Sequence, residues 1–319
     1  MVKNVLVTGG AGFIGSNTVD LLVSKGYNVI VLDNLSTGKR GNINKTAKFV
    51  LCDILDINRR IKTFMDVDAI IHCAAQISVV SSVNDPKNDA LNNVIGTLNM
   101  LELCRKFDIK KFILASTGGA MYGSNTSRLP FKERLIEQPE SPYAIAKRSA
   151  ELYMDYYNKI YGIDCVSMRY SNVFGPRQDH LGEAGVIAIF INRLLRNQRP
   201  IIFGNGSQTR DFIYVEDVAK ANMLSLTQKT ISKKFNIGTG KQTTVNDILH
   251  KIKLIMGKEN IKPLYEPSRP GELSHSCVDI SLAKKELCWN PKTSLGDGLK
   301  RTIEWFCNNK KKLMSAIPK

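Results

Sequence analysis

The segment VLVTGGAGFIG, at residues 5–15, decides the fold of this 319-residue chain. Its apolar first half predicts a buried strand, and the amphipathic sequence at residues 16–26 predicts a helix directly after it. Gly9, Gly12 and Gly15 lie between the two, where glycine permits a tight turn and lets backbone N–H groups approach an anion at the helix N-terminus. This strand–turn–helix unit is typical of folds that bind the pyrophosphate of a dinucleotide.

Further short apolar runs rich in β-branched residues recur along the chain, separated by helix-like stretches. They predict strands at residues 28–33, 48–53, 69–74, 111–116, 165–170 and 234–238. Because the runs are almost continuously apolar, we expect strands buried on both faces of a parallel sheet. The alternation predicts an α/β fold, a doubly wound parallel Rossmann sheet with a smaller mixed α/β substrate-binding lobe.

The regular alternation of predicted strands and helices gives way to loops and isolated helices after Gly175-Pro176, which predicts a domain boundary there. We expect residues 1–174 to form the nucleotide-binding domain, with a return of the chain to it around 211–240. Residues 175–319 are then mainly the substrate lobe.

An acidic residue follows the glycine turn at the distance that dinucleotide binding requires. Asp33 ends the second predicted strand, 18 residues after Gly15. A carboxylate there accepts the ribose hydroxyls and repels a 2′-phosphate, which favours NAD over NADP. Lys39 and Arg40 follow closely and keep NADP open as an alternative. Asp53 closes the third predicted strand, where contact with the adenine and an N-cap of a helix are both open.

The composition excludes several classes of protein. With 43% hydrophobic and 23% charged residues, the chain is neither collagen-like nor disordered. Its 45 Lys and Arg against 29 Asp and Glu give a net charge of +16, which favours anionic partners without identifying one. No motif interleaves aromatic with basic residues, and no run reaches the roughly 18 apolar residues of a membrane span. We therefore expect neither a nucleic-acid nor a membrane partner.

The cysteines and the N-terminus predict the compartment. None of the seven cysteines forms a C-x-x-C pair, so we expect reduced thiols in a cytoplasmic protein. The N-terminal residues enter the first strand without the pattern of a signal peptide. The four histidines lack metal-ligand spacing, and we expect no metal site.

A tyrosine and a lysine on one predicted helix indicate acid–base chemistry. Ser141 suits the N-cap and Pro142 the first helical position, which places Tyr143 and Lys147 on one face at i and i+4. A neighbouring ammonium group lowers a tyrosine pKa from about 10 by roughly one to three units. We therefore expect Tyr143 to act as a base near neutral pH.

Taken together, these motifs resemble the extended short-chain dehydrogenase/reductases. The resemblance rests on TGGAGFIG, HCAAQ, STGGAMYG, YAIAK and RYSNVFGPRQ, and continues through RDFIYVEDVAKA and RPGELSHSCVDISLAKKELCWNP almost to the C-terminus. It is closest to NAD-dependent nucleotide-sugar epimerases of the UDP-glucose 4-epimerase type. It implies that NAD takes a hydride from C4 of a UDP-hexose and returns it to the other face. Tyr143 would remove and restore the hydroxyl proton while Lys147 holds the nicotinamide ribose.

The resemblance also implies further site residues. The cofactor contacts that it implies are Gly9, Gly12, Phe13, Ile14, Gly15, Asp33, Asn34, Gly38, Asp53, Ile54, Ala74, Ala75, Gln76, Asn93, Tyr143, Lys147 and Tyr170. The substrate contacts are Ser78, Ser116, Thr117, Tyr143, Asn172, Val186, Ile187, Phe203, Arg210, Arg269, Glu272 and Ser276. Among these, Asn172, Arg210 and Arg269 would hold the diphosphate and Glu272 the uridine ribose. Backbone near Val186 and Ile187 would receive the uracil, as would Phe203, for which core packing is an equal alternative.

Two positions bear on reaction and substrate. Family members commonly carry a hydroxyl residue where this chain has Gly118. Ser116 and Thr117 are the neighbouring hydroxyls that could replace it, and we favour Thr117. Gly118 and Gly119 leave no carboxylate for a 4,6-dehydratase, which favours epimerisation. Ser276 stands where a tyrosine would exclude an N-acetyl group, so we expect UDP-glucose, UDP-galactose and their N-acetylated forms to be accepted.

Alternative functions are an epimerase for UDP-glucuronate or another nucleotide sugar, an oxidoreductase on a related sugar, and a non-enzymatic NAD-sensing protein. The intact Tyr143/Lys147 pair argues against the last of these. The resemblance further implies a homodimer through a helical interface.

Overall fold

The computed structural model of the protein describes residues 2–124, 126–180, 185–231, 233–268 and 273–309. Its strands are β1 (Asn4–Thr8), β2 (Asn28–Asp33), β3 (Lys48–Leu51), β4 (Ala69–His72), β5 (Lys111–Thr117), β6 (Asp164–Tyr170), β7 (Asn172–Phe174), β8 (Ile201–Phe203), β9 (Thr209–Arg210), β10 (Phe212–Tyr214), β11 (Lys234–Ile237), β12 (Thr243–Thr244) and β13 (Leu264–Glu266). Its α-helices are α1 (Phe13–Ser24), α2 (Val79–Asn84), α3 (Pro86–Ala90), α4 (Gly96–Lys106), α5 (Pro142–Tyr161), α6 (Val186–Leu195), α7 (Val215–Thr227), α8 (Val245–Met256), α9 (Ser281–Glu286) and α10 (Leu295–Asn308).

Seven parallel strands form the central sheet, in the order β11-β6-β5-β4-β1-β2-β3. Each predicted strand is present, which confirms the predicted Rossmann-type α/β fold. Three strands end earlier than expected, at Leu51, His72 and Ile237. After Leu51 the carboxylate of Asp53 accepts a hydrogen bond from the Leu55 N–H, which turns the chain out of the sheet.

The sheet is buried on both faces, and successive side chains of its strands enter two different apolar layers. Val5 and Val7 lie in the layer beneath α1, whereas Leu6 lies in the layer that includes residues of α4 and α5. All three have no exposed surface. This two-sided burial explains why the strand sequences are continuous apolar runs instead of alternating ones.

The later part of the chain builds a second core and also returns to the sheet. Helices α6, α8 and α10 pack around a separate apolar cluster that includes Phe190 and Phe306. Strand β7 pairs with β10, helix α7 packs on α1, and β11 forms the edge of the central sheet beside β6. Within the described ranges, no helix is both long and apolar enough to cross a membrane.

A buried ion cluster connects the sheet to α5 behind the site. Arg169 of β6 has no exposed surface, and its guanidinium lies 2.5 Å from Glu151 and 2.6 Å from Glu137. Glu151 also accepts hydrogen bonds from the hydroxyls of Ser116 and Ser167. The arginine and these hydrogen bonds hold the pKa of Glu151 below its usual value despite burial, so α5 is fixed against β5 and β6 by an ionised carboxylate.

Candidate active site

Two cavities open at the carboxyl ends of the central strands and meet at Tyr143. The first has a volume of about 210 Å³ and extends from the glycine turn past Asp33 to Lys147. The second, of about 450 Å³, extends from Thr117 past Asn172 to the start of α6. Tyr143, Ser116 and Tyr170 line both of them. A ligand in one cavity would therefore meet a ligand in the other at the tyrosine.

The glycine turn between β1 and α1 needs glycine for two different reasons. Gly9 has a φ of +64°, and a Cβ there would lie 2.6 Å from the amide nitrogen of Ala74. A Cβ on Gly15 would lie only 2.2 Å from the carbonyl oxygen of Gly9, so the helix packs directly on the turn. Gly12 is the N-cap of α1, and it lines both cavities with Phe13 and Ile14. The helix N-terminus thereby faces the cavities, as binding of a pyrophosphate requires.

Asp33 and Asp53 lie on the wall of the first cavity. The Asp33 carboxylate accepts hydrogen bonds from the N–H groups of Ala11 (3.0 Å) and Leu35 (2.8 Å), which fix its orientation. A Cβ on Gly38 would lie 2.6 Å from the same carboxylate, so Gly38 makes room for Asp33 and does not itself line the cavity. Asp53 accepts from the Asn34 amide at 2.7 Å. Asp53 caps no helix, so the N-cap alternative for this residue is wrong.

Lys39 and Arg40, the two basic residues that left NADP as an alternative cofactor, have other partners. Lys39 lies in the second cavity, 3.8 Å from Asp179. The Arg40 guanidinium lies over the ring of Phe49, 5.4 Å from its centre. Neither residue lines the first cavity beside Asp33.

Tyr143 and Lys147 lie one turn apart at the start of α5, as the sequence predicts. Ser141 caps the helix by accepting a hydrogen bond from the Ala144 N–H, and Pro142 occupies its first turn. The Lys147 ammonium lies 5.9 Å from the centre of the Tyr143 ring and donates to the carbonyl oxygen of Ala115 at 3.0 Å. Both side chains therefore border the first cavity with fixed positions.

The expected lowering of the Tyr143 pKa is wrong for the protein alone. Burial raises the pKa of Tyr143, and the Asp89 carboxylate raises it further. Burial also lowers the pKa of Lys147 to about 8, although Cys73, Asp89 and Glu151 oppose this. The ammonium is directed to a backbone carbonyl, so desolvation outweighs its effect on the phenol. The surroundings of Tyr143 in the protein alone thus favour the neutral phenol over the phenolate.

The hydroxyls of Ser116 and Thr117 have different surroundings at the end of β5. Ser116 is buried and donates to Glu151 at 2.8 Å. Thr117 lines the second cavity, and its oxygen accepts from the Ala120 N–H at 3.2 Å, which leaves its proton available. A Cβ on Gly118 would lie 2.9 Å from the Arg169 carbonyl oxygen, so position 118 points into β6. The geometry thus favours Thr117 as the substitute hydroxyl.

The loop after β4 forms the wall between the cavities. Ala74 and Ala75 line the first cavity, and Ser78, the N-cap of α2, lines the second. Gln76 and Asn93 line neither. Instead, the Asn93 amide donates to the Gln76 carbonyl oxygen at 2.9 Å, so both residues support the loop from behind.

The structure places the other predicted residues in three groups. Lining the cavities are Asn34, Asp53, Ile54, Tyr170, Asn172, Val186 and Ile187. Outside the lining are Phe203 at the end of β8, Arg210, which donates to the Thr209 carbonyl oxygen at 2.8 Å, and Ser276, which is 3% exposed. Ser276 lies near Asn172, because a Cβ on Gly119 would lie 3.9 Å from the Ser276 hydroxyl and 4.0 Å from the Asn172 amide oxygen. Arg269 and Glu272 lie outside the described residues.

Several residues that line the two cavities were not predicted from the sequence. Those of the first cavity are Leu32, Ser36, Thr37, Cys52, Cys73, Ile77, Asn92 and Ala115. In the second cavity, Arg177 and Gln178 are the last two residues of the motif RYSNVFGPRQ, and that position could have indicated them. Arg177 has a φ of +71° and pairs with Asp20 of α1 at 2.6 Å. The loop after β7 is therefore tied to the helix that carries the glycine turn.

The fold and the site together define a dinucleotide-binding α/β protein with a tyrosine–lysine pair between two cavities. The model of the NAD dependent epimerase/dehydratase family matches residues 5–238, and the chain belongs to that family.

Similar proteins cover nearly the whole chain. A UDP-glucose 4-epimerase of Mycolicibacterium smegmatis is 39% identical, with 95% of this chain and 98% of that protein aligned. The crystal structure of UDP-glucose 4-epimerase from Thermotoga maritima with UDP-glucose is 47% identical, with a TM-score of 0.93 over 96% of this chain and 99% of that one. The structure of UDP-N-acetylglucosamine 4-epimerase from Methanobrevibacter ruminantium with UDP-N-acetylmuramic acid is 38% identical, with a TM-score of 0.91 over 97% and 99%.

Proposed function

We propose that the protein is a UDP-hexose 4-epimerase that interconverts UDP-glucose and UDP-galactose with NAD as its cofactor. The observation that carries this proposal is the position of Tyr143 at the junction of the two cavities. A base at that point contacts a sugar in the second cavity while a nicotinamide lies in the first. The similar proteins, which are 4-epimerases of UDP-sugars, support the same reaction class.

The residues of the first cavity fit NAD. Asp33 presents a buried, oriented carboxylate for ribose hydroxyls, and the N-terminus of α1 faces the space beside it. Lys39 and Arg40 have other partners, and neither lines the first cavity, where a 2′-phosphate would lie beside Asp33. These features favour NAD over NADP.

When held by Asp33, Lys147 and the N-terminus of α1, NAD would supply the redox chemistry, which is reversible hydride transfer at C4 of the sugar. In the first half-reaction, the Tyr143 phenolate takes the proton of the 4-hydroxyl, and in the second it returns that proton to the 4-oxygen. Thr117 donates a hydrogen bond to the same oxygen. Because Tyr143 is neutral in the protein alone, we propose that the cofactor's positive charge completes the base by favouring the phenolate.

Residues of the second cavity suit a UDP-sugar. Asn172 and the amides at the start of α6 offer hydrogen-bond donors for phosphate oxygens and a pyrimidine ring. Arg210, Arg269, Glu272 and Phe203 remain proposed contacts for the diphosphate, the ribose and the uracil. Serine at position 276 is smaller than the tyrosine that would exclude an N-acetyl group, and we propose that N-acetylated UDP-hexoses are also substrates.

The test of the proposed function is conversion of UDP-galactose to UDP-glucose by the purified protein without added NAD. We expect turnover by the parent and a loss of at least about 10³-fold in kcat for Tyr143→Phe, which removes the base and conserves the ring. Tyr153→Phe, one α5 tyrosine exposed away from the cavities, is the matched control. No turnover by the parent, or full activity of Tyr143→Phe, would contradict the proposal.

We further propose a homodimer through α5 and the helices beside it. Ile145, Leu152 and Tyr156 of α5 are 49–53% exposed, and Leu91 and Ile95 just before α4 are 42–49% exposed. Helices α4 and α5 pack on one another, so these apolar side chains belong to one helical surface.

The division into a nucleotide-binding domain at residues 1–174, with its return at 211–240, and a UDP-sugar lobe at 175–319 is likewise a proposal. It is supported by the separate apolar cluster of α6, α8 and α10 and by the pairing of β11 with β6.

A further inference from the structure

A buried carboxylate behind the wall of the catalytic cavity has no counterpart in the mechanism above. Asp89 of α3 is 1% exposed. One of its oxygens accepts hydrogen bonds from the side-chain amides of Gln76 (2.8 Å) and Asn93 (2.9 Å). Its other oxygen is buried and has no hydrogen-bond partner among the described residues.

The hydrogen bonds of this cluster converge on the loop that separates the two cavities. The Gln76 amide donates to the Ser78 carbonyl oxygen at 2.8 Å as well as to Asp89, and the Ser78 N–H donates back to the Gln76 side chain. Asn93 donates both to Asp89 and to the Gln76 carbonyl oxygen. Asp89 is therefore the shared acceptor that fixes both the side chain and, through Asn93, the backbone of this loop.

The charge of Asp89 is balanced differently from that of Glu151, the other buried carboxylate nearby. Glu151 is neutralised by Arg169 at 2.5 Å. Asp89 receives hydrogen bonds only from neutral amides. Burial raises the pKa of Asp89, whereas the amides of Gln76 and Asn93 and the charge of Lys147 favour its ionised form. An unpaired buried carboxylate is costly, so its presence beside a cationic site points to a role in that site.

We propose that Asp89 is a positioning residue of the active site, which orders the loop of residues 74–78 and supplies the negative charge that balances Lys147 and a cationic nicotinamide. This inference rests on the proposed function for its catalytic consequence. The effect of the Asp89 charge on cofactor binding does not depend on the sugar.

The groups that face Asp89 come from α5 and from the loop. Helix α3 packs on α2, on the turn at residues 91–95 and on α5. The sequences of α2 and of that turn contain no charged residue, whereas α5 contributes Tyr143 and Lys147. Burial raises the pKa of Tyr143 and Asp89 raises it further, and Asp89 also opposes the lowering by burial of the Lys147 pKa. Removal of the Asp89 charge should therefore lower the pKa of Tyr143 and the pKa of Lys147.

The first test compares Asp89→Asn, which keeps the shape and removes the charge, with Asn93→Ala, which removes an amide donor and keeps the charge. Asp89→Asn should move both limbs of the pH profile of kcat/KM toward lower pH. Asn93→Ala should lower the height of the profile and leave its limbs in place. A profile of Asp89→Asn that loses height without moving would overturn the electrostatic role. An Asn93→Ala profile equal to that of the parent would overturn the positioning role.

The second test needs no turnover, so its failure is distinct from failure of the proposed function. NAD⁺ and NADH differ by the charge on the nicotinamide, and their dissociation constants for the purified protein can be measured by fluorescence titration and competition. Asp89→Asn should weaken NAD⁺ several-fold more than NADH, and Asn93→Ala should weaken both equally. Equal losses for the two forms in Asp89→Asn would contradict the proposal. If Asp89→Asn does not fold, Asp89→Ser provides the same comparison with a neutral acceptor.

Discussion

Substitution of Gly15 by alanine tests whether α1 must pack directly on the glycine turn. The added methyl group would lie 2.2 Å from the Gly9 carbonyl oxygen and 2.8 Å from its carbonyl carbon. Ordinary contact begins at 3.4 Å, so α1 and the turn must separate by about 1.2 Å. Both neighbouring atoms belong to the backbone, and neither can rotate away as the end of a flexible side chain could.

The expected cost has a structural and a functional part. Overpacking of this kind costs about 1–3 kcal/mol, and the better helix propensity of alanine offsets up to about 1 kcal/mol of it. We therefore expect the free energy of unfolding to fall by about 1–2 kcal/mol. A displacement of about 1 Å at the pyrophosphate site should weaken NAD binding roughly 10- to 100-fold.

Chemical denaturation and calorimetric titration with NAD measure these two effects. Gly41→Ala is the matched control, because no atom lies within 4 Å of its added Cβ and its φ is not left-handed. The control should keep its NAD affinity and change stability by no more than about 0.5 kcal/mol. If Gly15→Ala binds NAD as tightly as the parent, the close packing of helix on turn does not form the cofactor site.

Three further outcomes follow from the same structure. Thr117→Val should lower kcat/KM about tenfold or more with little change in stability. Ser116→Ala should remove one of the hydrogen bonds that the buried Glu151 carboxylate accepts and lower the free energy of unfolding by about 1–2 kcal/mol. Steady-state kinetics and urea denaturation separate the two effects, and the reverse pattern would exchange the roles of the two hydroxyls. Arg169→Met should cost about 3–5 kcal/mol, because it removes the buried cation at 2.5 Å from Glu151 and leaves only Arg148 at 3.8 Å. Because the folded-state pKa of Glu151 is depressed, the stability that it contributes is present above its unfolded pKa of about 4.3 and is lost as the pH falls through the folded value; denaturation midpoints that do not change between neutral and acidic pH would contradict this. Leu152→Glu should convert a dimer to a monomer in sedimentation velocity, and an unchanged mass would place the interface elsewhere.

The strands and the glycine turn could be predicted from the sequence because their causes are local. Continuous apolar runs, the strand–glycine–helix order and the N-cap at Ser141 each depend on residues close together in the chain. The Tyr143/Lys147 pair is of the same kind, because helical periodicity alone brings the two onto one face.

Other features depend on contacts that sequence does not reveal. A π-helical turn at Leu91–Ile95 changes the facing of its residues, which explains why Asn92 lines the first cavity and Asn93 points to Asp89. The pKa of Tyr143 depends on burial by several elements and on Asp89 in another helix. The expectation from Lys147 alone therefore had the wrong sign.

The measurement that tests the central claim most directly is epimerisation of UDP-galactose in D₂O, followed by NMR of the product. If NAD removes and returns the C4 hydrogen while Tyr143 handles only the hydroxyl proton, the UDP-glucose formed retains protium at C4 and at C5. Deuterium at C4 or C5 would show exchange of a carbon-bound hydrogen with solvent. That result, or the absence of UDP-glucose, would contradict the proposed mechanism.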